Sequence, residues 1–109
     1  MPFEFAAKLH DIPPGALRDV RIQGVPVALA NVEGKLFAVE GTCPHRGAPL
    51  GQGALHGATL VCPWHAWAFD CVTGEHDYNP AICLKRYEVM VENGEVFINI
   101  ESDARGSSA

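Results

Sequence analysis

Gly41-Thr42-Cys43-Pro44-His45 and Val61-Cys62-Pro63-Trp64-His65 are the two runs around which this sequence is organised. Each holds one cysteine and one histidine. Residues 46–61 lie between them, enough chain for one loop to turn back and face the other. The pattern C-x-H, sixteen residues, C-x-x-H brings together four soft or borderline ligands, a set that asks for a metal. Zinc fingers usually pair like with like, cysteine with cysteine and histidine with histidine. Here each pair is mixed.

Outward from these runs the chain reads as short strands. Eleven glycines and eight prolines among 109 residues leave no room for long helices. Phe3–Ala7 reads as a first strand with Phe3 and Phe5 on one face. Asp11-Ile12-Pro13-Pro14-Gly15 is a turn cluster, and Leu17–Gln23 alternates imperfectly before Gly24 offers a hairpin turn into Val25–Val32. Pro26 cannot donate to a ladder, which marks that segment as an edge strand. Asn31-Val32-Glu33-Gly34 turns the chain into Lys35–Glu40, where Leu36, Phe37 and Val39 pack.

Residues 41–57 read as loop, with glycines at 47, 51, 53 and 57. Ala58–Cys62 and Trp67–Cys71 read as short strands that deliver and leave the second run, and residues 76–83 as a further loop around Asn79-Pro80. Tyr87–Val91 and Glu95–Ile100 flank Asn93-Gly94, a strong two-residue hairpin signal. The small, polar residues 102–109 read as a disordered tail. The expectation is a single all-β antiparallel domain, sandwich or barrel, over residues 1–101.

The formal net charge is −5, which disfavours nucleic acid as a partner, because phosphate binding rests on clustered Lys and Arg. No stretch approaches the length of a membrane span, and the N-terminal residues carry no apolar signal core. A cytoplasmic location with reduced thiols follows, with no membrane contact and a monomer as the expected state. Cys71 and Cys83 fall outside any ligand spacing and read as small buried hydrophobes. His10, His56 and His76 read as surface histidines, Lys85-Arg86 as a solvated strand end, and Asp70 as a partner for loop backbone.

The two mixed runs resemble the Rieske iron–sulfur family, in which two Cys hold one iron of a [2Fe–2S] cluster and two His hold the other. Gly47-Ala48-Pro49-Leu50, the Phe69-Asp70 pair and Tyr87-Glu88-Val89 look like the ferredoxins of that family, and the similarity extends from about residue 3 to residue 100. The resemblance implies an antiparallel β fold with an inserted cluster-binding subdomain, here about residues 41–83. It implies ligation by Cys43, His45, Cys62 and His65, and a third loop over the cluster at Asn79-Pro80-Ala81. Two ferric ions, two sulfides and two thiolates sum to zero charge. Such a core accepts an electron more readily than the four-cysteine kind, and the electron settles on the histidine-bound iron.

High-potential members of the family carry an extra cysteine in each loop, joined as a disulfide, at positions held here by Ala48 and Trp64. They also carry Ser and Tyr hydroxyls, which bond to cluster and ligand sulfur, at the positions of Trp67 and Phe69. Lacking these donors, the reduced and more negative state is less stabilised, so a low-potential cluster is expected. Between Gly41 and Phe69 there is no acidic residue, and Arg46 is the one formal charge. Pro44, Arg46, Trp64, Trp67 and Pro80 are the expected cluster surround and docking rim. Trp67 reads mainly as a roof that excludes water.

A Rieske oxygenase needs a second iron site in a much larger domain, and no glycine-rich dinucleotide fingerprint is present. No catalytic residues are therefore assigned. The resemblance implies a soluble one-electron carrier between an NAD(P)H-dependent flavoprotein reductase and a terminal oxygenase, with aromatic-ring-hydroxylating dioxygenase systems the leading assignment. A small Rieske subunit of a nitrite-reductase-type enzyme is the alternative, and a Cys₂His₂ zinc-binding interaction module a remote one.

Overall fold

A computed structural model describes residues 3–44, 47–64, 67–77, 79 and 81–101. Nine strands are assigned among them: β1 Glu4–Lys8, β2 Leu17–Ile22, β3 Val25–Val32, β4 Lys35–Glu40, β5 Ala54–His56, β6 Thr59–Val61, β7 Ala68–Asp70, β8 Arg86–Glu92 and β9 Glu95–Asn99. Single turns of 3₁₀ helix lie at Leu9–Asp11 and Leu50–Gln52. The six longer strands form one antiparallel sheet in the order β1-β9-β8-β4-β3-β2. It curls into a near-closed barrel: the Gln23 amide at the β2–β3 turn reaches Glu4 of β1 at 2.7 Å. Strands β5-β6-β7 form a separate small sheet inserted in sequence between β4 and β8.

Three tight turns set the barrel register. Gln23-Gly24, Glu33-Gly34 and Asn93-Gly94 all have positive φ at both positions, the type I′ geometry that matches the twist of paired strands. Asn93 and the glycines adopt it readily, whereas Gln23 and Glu33 do so against side-chain preference. The Glu33-Gly34 turn is held by the buried Asn31, whose Oδ1 accepts the Gly34 N–H and whose Nδ2 donates to the Ile12 carbonyl, both at 2.7 Å.

Strand β3 is internal, not the edge strand that Pro26 suggested: it pairs with β2 on one side and β4 on the other. Pairing with β4 starts at Val27, so the missing N–H of Pro26 falls at the strand end, where its carbonyl still accepts the Gly41 N–H at 3.0 Å. The near-continuous apolar run of β3 has a matching cause. Val27 and Leu29 face the barrel interior with Ile12, Ile22, Val96 and Ile98, while Ala28 and Ala30 face a second core with Val39, Leu50, Leu60, Phe69 and Leu84. A strand buried on both faces needs no alternation of polarity. The wall made by β3 and β4 therefore separates the barrel core from the core beneath the two Cys-His runs.

The 41–57 stretch is more ordered than the glycine content suggested, containing the 3₁₀ turn and strand β5, which pairs Leu55 with Leu60. Its glycines serve close approach. A Cβ at Gly51 would run into the Asp19 Cα, and one at Gly41 would stand 2.6 Å from the Pro26 carbonyl carbon. Residues 102–109, read as a disordered tail, lie outside the described residues.

Candidate metal centre

Cys43 and Cys62 occupy matching places on two neighbouring loops. The Cys43 N–H donates to the Ala48 carbonyl at 2.9 Å, and the Cys62 N–H donates to the Trp67 carbonyl at 2.7 Å. Each cysteine thus closes a loop with the residue five positions on. The first loop follows β4 and is pinched by the Thr42–Pro49 bridge and by Gly47, whose φ of +76 suits glycine. The second is the tip of the β6–β7 hairpin, just past the Val61–Ala68 pair. The expected histidine ligands, His45 and His65, fall inside these two loops but lie outside the described residues, as do Arg46 and Pro80.

Both cysteine side chains are buried, 1% and 3% exposed, and Cys43 is near enough to Cys62 to act on its thiol. No disulfide joins them. Burial pushes the Cys62 thiol above its ordinary pKa, opposed by the backbone N–H of Trp64 and reinforced by the adjacent Cys43. Two neutral thiols pressed together in an apolar pocket give little stabilisation. Two thiolates sharing one cation there are strongly favoured, and the protons leave as the metal binds. No carboxylate occurs between Gly41 and Phe69 to repel the thiolates. The donor set fits a pair of sulfurs meeting on one iron of a [2Fe–2S] group.

The surroundings divide into an apolar floor and an open rim. Ala48, Leu50, Leu60 and Phe69 are fully buried beneath the cysteines. Pro44 and Pro63 are exposed, and Trp64 is 49% exposed, placing an indole at the rim. Trp67 is half-buried and packs on Phe69, ring centroids 6.3 Å apart. Asp70 binds loop backbone, its Oδ1 accepting the Val72 and Thr73 N–H groups at 2.7 and 3.3 Å.

Three residues depart from expectation. His76 is not a surface histidine: it is 8% exposed, its ring edge-on to Trp67 at 4.5 Å and to Phe69 at 5.4 Å. Period-two alternation carried the signal, since Glu75 and Asp77 both face solvent and a bridge to Phe69 turns the residue between them inward. Lys85 and Arg86 are half-buried, not a solvated strand end: the Lys85 ammonium lies over the Tyr87 ring at 5.5 Å, and the Arg86 Nε is buried. Cys71 is buried, as expected, and its thiol is pushed up to about 12 by burial and the neighbouring Asp70 charge, so it stays protonated and inert. Cys83 is partly buried.

Comparison with known proteins agrees with this geometry. Residues 3–88 match the Rieske [2Fe-2S] domain family. The chain is 37% identical over 97 residues to the ferredoxin component of naphthalene 1,2-dioxygenase/salicylate 5-hydroxylase systems from Ralstonia sp, covering 88% of this chain and 93% of that one. A chain in the solved complex of reduced oxygenase and oxidized ferredoxin in carbazole 1,9a-dioxygenase superposes with a TM-score of 0.80 at 34% identity, covering 89% of this chain and 92% of that chain. The Sphingomonas yanoikuyae B1 ferredoxin superposes with a TM-score of 0.81 at 29% identity, covering 89% and 97%.

Proposed function

This chain belongs to the Rieske [2Fe-2S] family, and from that premise we propose that it is the ferredoxin component of an aromatic-ring-hydroxylating dioxygenase system. It is an electron carrier, not a catalytic enzyme, and works between an NAD(P)H-dependent flavoprotein reductase and a terminal oxygenase. The observation that supports this most is the pair of buried, neighbouring thiols on two matched loop tips, each followed in sequence by a histidine. Cys43 and Cys62 hold one iron as thiolates; His45 and His65 hold the other as neutral imidazoles. Residues 41–83 are the cluster-binding subdomain. When bound, the [2Fe–2S] group takes up and gives back one electron.

The rest is the work of the chain's own residues. Ala48, Leu50, Leu60 and Phe69 keep water from the sulfurs, and the Trp64 N–H favours the thiolate form of Cys62. Pro44, Pro63 and the exposed Trp64 give the rim an apolar face, while Arg46 and Pro80, the other expected rim residues, lie outside the described residues. Such a face suits brief docking, where a small interface allows fast release. None of the described helices is long and apolar enough to cross a membrane. A cytoplasmic, monomeric carrier is the reading that accompanies this role.

Stopped-flow spectroscopy tests it. The oxidised protein should be reduced by NADH with a catalytic amount of flavoprotein reductase, then reoxidised by a Rieske terminal oxygenase at a rate that supports turnover. Reduction by dithionite but by no such reductase would contradict the assignment.

A further inference from the structure

Residues 50–53 pass between the barrel and the hairpin that carries Cys62, and two glycines make the passage possible. On one side Gly51 backs onto Asp19 of β2. Two residues on, Gly53 backs onto the hairpin. A Cβ there would run into the Val61 carbonyl oxygen and stand 3.2 Å from the Pro63 Cδ. Val61 and Pro63 are the two chain neighbours of Cys62. The φ of Gly53 is −80, outside the left-handed region that calls for glycine, so what bars a side chain is space. Gly57, at the turn of the adjoining β5–β6 hairpin, is the reverse case. Its φ is +61, and a Cβ on it would meet nothing within 4 Å.

The Cys43 loop is tied to the other end of this segment. The Leu50 N–H donates to the Gly41 carbonyl at 2.9 Å, and the Thr42–Pro49 bridge lies just outside the bond between Cys43 and Ala48. The Gly53 N–H then donates to the Leu50 carbonyl at 3.0 Å, and Ala54 pairs with Val61. Short backbone links thus run from Cys43 through Leu50 to Gly53, which touches the residues on both sides of Cys62. A side chain at residue 53 must push Val61 and Pro63 outward or push its own segment toward the barrel. The second way is blocked where Gly51 already meets Asp19.

We propose that Gly53 is a positioning residue whose missing side chain sets the separation between the Cys43 loop and the Cys62 hairpin, and with it the spacing of two iron ligands. The second half of this claim rests on the cluster reading given above. Two sulfurs on one iron tolerate little change in their separation, so a wedge at residue 53 weakens their hold.

The test compares the whole, cluster-loaded wild-type chain with its Gly53→Ala and Gly57→Ala variants. G57A strains the adjoining turn but puts nothing between the loops. Amide hydrogen exchange reports the fit. In G53A the amides of β5 and β6 should exchange about tenfold faster, while those of β3 and β4 are unchanged. EPR of the dithionite-reduced protein and the rate of iron loss to a chelator report the ligand spacing. In G53A the g values should shift and iron should leave about tenfold faster, whereas G57A should match the wild type in both. Unchanged exchange in β5 and β6 of G53A overturns the fit. Wild-type g values and iron loss in G53A, or equal changes in G57A, overturn the control of ligand spacing. Wild-type protein lacking iron and sulfide defeats the cluster reading, and with it the spacing of iron ligands, while exchange still decides the fit. Should G53A fail to fold, the same substitution in a Pro63→Ala background, which relieves one of the two contacts, is compared with P63A alone and read by the same outcomes.

Discussion

Cys43 lies near enough to Cys62 to act on its thiol, across two loops that are each closed by a cysteine N–H bonded to the carbonyl five residues on. Cysteines of one family are thus presented by two copies of the same local geometry. We propose that residue type, not loop, decides which ligands share an iron, Cys43 with Cys62 and His45 with His65.

If so, the four ligands fail in two ways. His65→Ala should remove the Rieske spectrum altogether, with iron content falling at least tenfold, as should His45→Ala. His65→Cys keeps a cluster but supplies a third thiolate, so its midpoint should fall well below that of the wild type. EPR of the dithionite-reduced variants checks both outcomes. An unchanged wild-type spectrum in H65A would refute the assignment of His65.

The potential should be low. Phe69 is fully buried and packs on Trp67 and His76, leaving hydrocarbon at a position where high-potential relatives carry a hydroxyl. The wild-type midpoint should lie near the lower end of the Rieske range, about −150 mV. Phe69→Tyr, by offering a donor toward sulfur, should raise it. Spectroelectrochemical titration at pH 7 gives both values.

Cys71 predicts a change at alkaline pH. Its thiol is pushed from 9.0 to about 12 in the folded protein, chiefly by burial and then by Asp70. The folded state holds the proton when the unfolded chain has lost it, so the stabilisation is present below pH 9 and is lost as pH rises toward 12. At most about 4 kcal/mol is at stake. Thermal melts from pH 8 to pH 11 should show Tm falling in the wild type and falling less steeply in Cys71→Ala. Parallel curves would exclude the contribution.

Gly51 holds the loop after the first run against the barrel, with Asp19 backbone where a side chain would go. Gly51→Ala should cost about 1–3 kcal/mol, since backbone atoms on β2 must shift. Denaturant midpoints measure the loss. Stability equal to the wild type would mean the loop sits farther from β2.

Much of this architecture was legible from residues alone. The bounds of β3 and β4 follow from apolar runs between glycine turns, and Asn93-Gly94 announces its hairpin. Pro26 misled because a missing N–H forbids only the interior of a ladder, and this proline sits where pairing with β4 has not begun. Strand β5 was missed because Ala54-Leu55-His56, flanked by glycines, has only three residues to show a period. Among site residues, the cysteines declare themselves by spacing. His76 shows only in the Glu75-His76-Asp77 alternation, because the contacts that bury it come from Trp67 and Phe69, brought near by the β6–β7 hairpin. The role of the Trp64 N–H depends on loop geometry that spacing does not encode.

The central claim is that one [2Fe–2S] cluster is bound by two cysteines and two histidines. Iron and acid-labile sulfide analysis, with EPR of the dithionite-reduced protein, tests it most directly. The account predicts two irons and two sulfides per chain and a rhombic signal with the low average g of mixed sulfur and nitrogen ligation. A colourless protein with one zinc and no sulfide, or a signal of the all-cysteine kind, would contradict it.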